Sequence, residues 1–337
     1  MLRAAIIGLG TWGQHLVRSV QGASPVIQFV AAATRTPEKA RGFAQEHGLR
    51  MLPRYEDALA DPDIDAVVLA TPHTQHTDQI VAAAEAGKHV FTEKPLGVDA
   101  ASAERAARAC AEKGVTLGVG YNWRFQPALQ AIRRMIEDGT LGRVLHLEGN
   151  FCGPSVYRFS KGHWRHEREE GPAGGMTGRG VHVVDAMLYL AGRIEQVTAA
   201  QSFRLVQDFG IDDTTSMLFR FANGATGYLG TVIATAETWR LQVFGSNAWA
   251  EVGDVEHLHT WDLKVCRIDR DNITRKQRPE VMTFPKTSTE RAELEHFAEH
   301  AAARRPLVLP GGDAIHNVAV LEAILASARS QGPVRLS

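Results

Sequence analysis

The sequence predicts an α/β chain in two parts: a doubly wound parallel sheet over residues 1–121, then an α+β domain with a large, mostly antiparallel open sheet over residues 122–337. Three observations predict it. The first third alternates short apolar runs with amphipathic stretches, the mark of βαβ units. The six residues GLGTWG, positions 8–13, stand where the first apolar run meets the first helical stretch. From about residue 196 to residue 284 the chain turns to strand-like runs separated by turn residues, as antiparallel pairing requires.

Residues 4–7 form the first strand, and the glycine turn leads into a helix through Leu16, Val17 and Val20. Residues 26–33 form the second strand. Thr36 is placed to cap the next helix, with Pro37 suited to its first turn. Residues 66–70 are wholly apolar, as a strand buried on both faces must be, and Thr71-Pro72 ends them. A helix over 76–86 stops at Gly87, and a strand over 89–91, a helix over 100–113 and a strand over 115–119 follow. In the second part, a helix over 126–138 precedes a strand beginning at Val144. The later strands are divided by turns at 208–210, 223–224 and 245–247. Helices over 181–190, 289–303 and 313–330 are expected to cover one face of that sheet.

Lys plus Arg number 37 against 38 for Asp plus Glu, so the net charge of −1 offers no broad basic field for nucleic acid or an anionic membrane. No apolar run approaches the ~18 residues of a membrane span, and residues 1–10 lack a signal peptide's regions. Three dispersed cysteines, without a C-x-x-C, argue against disulfides and thiolate zinc and for a reducing cytoplasm. The pairs His73/His76, His163/His166 and His257/His259 lack convincing further ligands, so no metal is expected. A small-molecule substrate fits best.

A G-x-G-x-x-G at the first strand-to-helix junction of such a sheet is where a dinucleotide binds, which makes this a Rossmann domain. Gly8 permits the tight turn, Gly10 admits the pyrophosphate and Gly13 lets the helix pack close, with free N–H groups facing the phosphates. After the second strand, Thr34, Arg35 and Thr36 replace the acid that holds a ribose 2′-hydroxyl, and no carboxylate precedes Glu38. A guanidinium with hydroxyls suits a 2′-phosphate, so NADP is expected, with NAD as the alternative. Lys94 lies in FTEKPLG at a strand's carboxyl end, where ligands bind in such sheets, and Pro95 restrains its backbone and is a candidate cis residue. A buried ammonium beside a cationic nicotinamide would have a lowered pKa, which suits Lys94 to move a proton or polarise the reacting oxygen. His182 closes the glycine-rich GGMTGRGVH where the helix over 181–190 begins.

GLGTWG (8–13), ATPHTQH (70–76), EKPLG (93–97) and GYNWRFQP (120–127), in this order and with the later G-x-H, resemble the glucose-fructose oxidoreductase and inositol dehydrogenase family, Gfo/Idh/MocA, over nearly the whole chain. The resemblance implies a homo-oligomer, dimer or tetramer, formed through the open sheet. It implies cofactor contacts from Gly8, Gly10, Thr11, Trp12, Gly13, Thr34, Arg35, Thr36, Thr71, Pro72, His73, His76, Glu93, Lys94 and Asn122. It implies catalytic roles for Lys94 and His182, with Arg124, Trp164, Arg165 and Asp185 joining them around the substrate; Arg179 is a further candidate substrate residue on its charge alone. The family's arrangement has an aspartate four residues before the histidine; here that position is Gly178, and Arg179 stands where relatives are usually apolar. Asp185, one helical turn from His182, is a candidate replacement. If Arg179 points into the cleft, the substrate is expected to be acidic. The implied activity is hydride transfer between NAD(P) and a sugar, polyol or related carbonyl compound. A non-catalytic dinucleotide-sensing protein and an imine or enone reductase are the alternatives.

Overall fold

The computed structural model describes residues 1–158, 162–206, 210–258, 260–305 and 314–336. His259, the start of the turn expected at 208–210 and Asp313 lie outside the described residues. The chain divides into two units, Met1–Asn122 with the segment from Ser288, and Trp123–Thr287 with the carboxyl-terminal helix and strand.

In the first unit β1 (Leu2–Ile7), α1 (Thr11–Val20), β2 (Ile27–Ala33), α2 (Pro37–Glu46), β3 (Arg50–Leu52), α3 (Tyr55–Ala60), β4 (Ala66–Leu69), α4 (His73–Glu85), β5 (His89–Thr92), α5 (Ala100–Lys113) and β6 (Leu117–Val119) follow in turn. The strands lie in the order β3-β2-β1-β4-β5-β6, all parallel. The order reverses between β1 and β4, and ligands bind such sheets at the carboxyl ends beside that reversal. Helix α5 starts on Asp99, which accepts from Ser102 N, and ends on Gly114 in the left-handed conformation. Thr36 does precede α2, but its side chain makes no capping bond. Helix α4 begins three residues earlier than the periodicity predicts, directly after Pro72. The sequence reading passes over β3 and α3, which are too short, at three and six residues, to display a period.

The second unit holds α6 (Pro127–Glu137), β7 (Val144–Cys152), α7 (Ser155–Arg158), α8 (Val181–Ala191), β8 (Ile194–Phe203), β9 (Thr214–Phe221), β10 (Thr226–Val232), β11 (Thr238–Gly245), β12 (Ala248–Val252), β13 (Leu263–Arg267) and β14 (Glu280–Met282). Helix α9 (Thr289–Ala302) follows, then α10 (Ala314–Ser330) and β15 (Val334–Arg335). The nine strands run β14-β13-β12-β11-β7-β10-β9-β8-β15, antiparallel except for β7 beside β10. Helices α8 and α10 pack on this sheet. A side chain on Gly149 of β7 would strike Val183 at 2.5 Å, so the glycine lets α8 settle against the strand.

Helix α9 does not cover the large sheet, contrary to expectation. Leu294, Phe297, Ala298 and Ala301 enter the first unit's core with Leu16, Phe29 and Phe91, and the rings of Phe91 and Phe297 lie 5.6 Å apart. An apolar stripe identifies the face that must be buried without naming its partner. The units therefore do not follow a single break after residue 121. Among the described residues no helix is long and apolar enough to cross a membrane.

Candidate functional site

The three glycines after β1 have three different environments. Gly8 has φ +94°, and a Cβ there would lie 2.5 Å from the Ala70 carbonyl oxygen, so the turn is pressed onto the end of β4. A Cβ on Gly13 would lie 2.1 Å from the Gly8 carbonyl oxygen, which leaves no space between helix and turn. Gly10 is open, with no described atom within 4 Å of its Cβ position. Gly10 also caps α1, which opens with Thr11 and Trp12, without any side-chain bond to the free N–H groups. The free N–H groups at the start of α1 face an open Gly10, where there is room for an anionic group. Gly13→Ala is expected to cost about 1–3 kcal/mol of stability through overpacking. Gly10→Ala should fold normally and weaken dinucleotide binding by about tenfold, or about 1.4 kcal/mol. Thermal melts beside nicotinamide-fluorescence titrations distinguish the two, and a Gly10→Ala protein that binds as well as the parent refutes the assignment.

At the end of β2 Thr34 and Thr36 are half-buried and Arg35 is exposed. At the ends of β4 and β5, Thr71 donates to Gln79 Oε1 (2.6 Å). The wholly buried His76 ring has Nδ1 2.8 Å from the Pro95 carbonyl oxygen and Nε2 3.1 Å from that of Thr71, tying the two strand ends together. His73 is buried one turn earlier, its ring 5.8 Å from that of His76. The Lys94–Pro95 bond is cis, and Lys94 is half-buried.

Glu93 is buried beside Gly120, where a Cβ would lie 3.0 Å from its carboxylate, so the glycine opening GYNWRF makes room for the acid of EKP. Burial pushes the Glu93 carboxyl above its usual range, against the pull of the Lys94 ammonium. Asn122 donates to Thr289 Oγ1 (3.3 Å) and Glu290 Oε1 (3.0 Å). Trp12 stacks on His15 at 4.9 Å, and His15 Nε2 lies 3.8 Å from Glu290 Oε2. Burial alone would raise Glu290, but the pull of the neighbouring His15 imidazole and the bonds from its own backbone and Asn122 outweigh burial and hold it below the carboxylate range. Sequence reasoning missed Thr289 and Glu290, which carry no motif and reach this cluster only because α9 returns to the first unit.

In the second unit the glycine-rich run is a packing device. Cβ atoms on Gly174, Gly175 and Gly180 would lie 2.3 Å from the Asp212 carbonyl oxygen, 2.7 Å from Ile233 and 2.3 Å from Met176 Sδ. Met176–Gly180 forms a π-turn that feeds α8, an irregularity frequent at functional sites. His182, 7% exposed in the first turn of α8, is stacked by Trp123 at 5.3 Å and 20°. Trp123 in turn meets Phe151, Trp239 and Trp261. Gly178 is exposed, with no described atom within 4 Å of its Cβ position.

Asp185 does not stand in for an acid at 178. Arg124 holds both its oxygens, Nε to Oδ2 at 2.8 Å and Nη2 to Oδ1 at 2.6 Å, with both side chains almost fully buried. Burial pushes the Asp185 carboxyl up against the pull of Arg124. Arg179 is also committed: Nη1 donates to Glu237 Oε1 (2.6 Å) and the Cys152 carbonyl oxygen (3.0 Å), and Nε to Ser155 Oγ (3.0 Å). Glu237, which also pairs with Arg158, is its counter-charge, so Arg179 is held by the protein and is not the free guanidinium that the expectation of an acidic substrate assumed. Arg165 stacks over Trp164 at 4.1 Å, in the short turn Trp164–His166.

Comparison with known proteins adds to this geometry. A family described as "Oxidoreductase family, NAD-binding Rossmann fold" matches residues 2–121, and "GFO/IDH/MocA C-terminal domain" matches residues 129–251. The scyllo-inositol 2-dehydrogenase (NAD(+)) of Bacillus subtilis (strain 168) is 27% identical over 346 residues, covering 99% of this chain and 96% of that protein. The levoglucosan dehydrogenase of Pseudarthrobacter phenanthrenivorans is 31% identical over 229 residues, covering 61% of this chain and 58% of its own. Among solved structures, aldose-aldose oxidoreductase from Caulobacter crescentus complexed with glycerol superposes with a TM-score of 0.88 at 25% identity, covering 99% of both chains.

Proposed function

The chain belongs to the Gfo/Idh/MocA family of oxidoreductases, and from that premise we propose that it moves a hydride between the nicotinamide of NAD(P), with NADP preferred, and a hydroxyl- or carbonyl-bearing carbon of a sugar, polyol or related compound. The observation that carries this reading is the glycine cradle, packed tight at Gly8 and Gly13 and open at Gly10. The relatives' names denote dehydrogenases and an oxidoreductase of polyhydroxy compounds, which supports the substrate class.

Nicotinamide, when bound, supplies the hydride donor or acceptor. The N–H groups at the start of α1 receive the pyrophosphate, with Thr11 and Trp12 beside it. Thr71, Pro72, His73, His76, Glu93 and Asn122 hold the strand ends around the cofactor. Lys94 Nζ polarises the reacting oxygen or takes its proton, and His182 holds or moves a proton at its imidazole. Trp164 and Arg165 contact substrate, whereas the Arg124–Asp185 pair shapes α8 from within. Assembly through the open face of the nine-stranded sheet, where Leu218 and Tyr228 are paired and exposed, belongs to the same reading.

The preference for NADP rests on Thr34, Arg35 and Thr36 alone, since the inositol relative is named with NAD(+). Fluorescence titration is expected to give tighter binding of NADPH than NADH by about tenfold or more, the worth of one charged hydrogen bond. Arg35→Ala should erase the difference. Equal affinities in the unaltered protein would sink the preference for NADP. Tight binding of either cofactor without turnover of sugars, polyols or carbonyl compounds would sink the enzymatic reading.

A further inference from the structure

The pair formed by Arg179 and Glu237 sits outside the chemistry described above, and its bonding is incomplete in an informative way. A guanidinium has five N–H donors, and a carboxylate has about four acceptor positions. Among the described residues, Arg179 uses four donors: Nε to Ser155, two on Nη1 to Cys152 and Glu237, and one on Nη2 to Glu237 Oε2 at 3.4 Å. Glu237 accepts three bonds, two from Arg179 and one from Arg158 Nη2 at 2.8 Å. One donor on Arg179 Nη2 and one acceptor position on Glu237 Oε1 are left over, at opposite corners of the pair.

Hydroxyl groups both donate and accept, so two hydroxyls of one polyol complete this pair, where an anion or a cation would complete only half. The pair is partly reachable, with side chains 11% and 20% exposed. Gly178, next to Arg179 in the chain, leaves open space where any other residue would project a side chain. Burial would raise the Glu237 carboxyl, but its bond to Arg179 and the charges of Arg179, Arg158 and His257 outweigh burial and hold it below the usual range, ready to accept. The Arg179 guanidinium lies 4.7 Å over Phe151, and Phe151 lies 6.2 Å from His182. The pair is thus one ring removed from the histidine.

We propose that Arg179 and Glu237 form a hydroxyl-binding subsite beside Gly178 that selects polyhydroxy substrates extending beyond the reacting carbon. This rests on the oxidoreductase reading for the identity of the reacting carbon, and on the second unit alone for the subsite.

The test separates the two. Ligand-observed NMR titration of the NADPH-loaded protein with erythritol, xylitol and maltitol measures binding without turnover. Affinity is expected to rise along that series. Glu237→Gln should weaken xylitol and maltitol by about tenfold, the loss of one charge-assisted hydrogen bond. Gly178→Leu, which fills the open space and keeps both members of the ion pair, should weaken maltitol most and erythritol least. Where these polyols or their keto counterparts are turned over, the same losses should fall on KM with kcat changed far less, a division that general structural damage would not produce. Absence of binding by the unaltered protein, or equal binding by all three proteins, would overturn the subsite. Binding that follows the expected pattern with no turnover of any probe would uphold the subsite and overturn the oxidoreductase reading.

Discussion

Replacing Lys94 with alanine is expected to lower kcat by about a thousandfold, within the range of roughly 10²–10⁴ typical of removing a positioned proton-transfer group. The expectation comes from its position rather than its type. Lys94 follows β5 at the carboxyl end of the parallel sheet, half-buried, between a buried acid and a proline whose carbonyl is held by His76. Stopped-flow hydride transfer monitored by nicotinamide absorbance, with cofactor affinity from fluorescence, checks the result. NADPH affinity should change little while kcat and kcat/KM fall together, as when an interaction made only in the transition state is lost. Lys94→Arg adds a second reading. An arginine keeps the charge but does not deprotonate, so recovery of activity would mean that Lys94 polarises oxygen, and continued loss would mean that it moves the proton. An alanine variant with near-parental kcat would remove Lys94 from the chemistry.

The largest expected effect on stability is at Arg124. Its guanidinium and the Asp185 carboxylate are 4% and 2% exposed, so Arg124→Met leaves a buried carboxylate without its counter-charge, at a cost of about 3–5 kcal/mol. Urea unfolding followed by the fluorescence of Trp123, Trp239 and Trp261, all within the second unit, measures this. The sign of the pH dependence follows from Asp185. Burial already raises its folded pKa above the unfolded value, and removing Arg124 removes the opposing pull. A carboxyl with a raised folded pKa binds its proton more readily when folded, so stability falls as pH rises between the two values. The deficit of Arg124→Met should therefore shrink as pH is lowered from 7 to 5. Arg124→Met/Asp185→Leu should recover much of the loss, because no buried charge remains. A single variant as stable as the parent at pH 7 would show that the pair contributes little.

Much of the first unit is legible locally. The strand ends, the helix over Ala100–Lys113, the glycine cradle and the lysine before Pro95 are all marked by neighbouring residues, since glycine, proline and capping residues act over a few positions. The chain beyond residue 121 is less legible. The amphipathic helix at α9 was readable, yet its placement on the first unit's core was not. Hydrophobic burial is non-directional, and a stripe of leucine, phenylalanine and alanine fits either sheet. The interior charges follow the same logic. Arg124 and Asp185 are 61 residues apart and Arg179 and Glu237 are 58 apart, so neither pair leaves a spacing to recognise. The sequence marked both arginines and Asp185 as charges facing substrate; the fold assigned each a partner.

What the sequence determined by itself is the doubly wound first unit, its glycine turn between β1 and α1, and the placing of Lys94 and His182 at the ends of a strand and a helix, because backbone preference and period act within one turn or one strand. What only the tertiary structure decided is which group each interior charge is spent on: Glu290 on the Asn122 amide, Asp185 on Arg124, and Glu237 on Arg179 and Arg158. A buried charge must find its counter-charge wherever the fold brings one within reach, and that reach is measured through space, not along the chain.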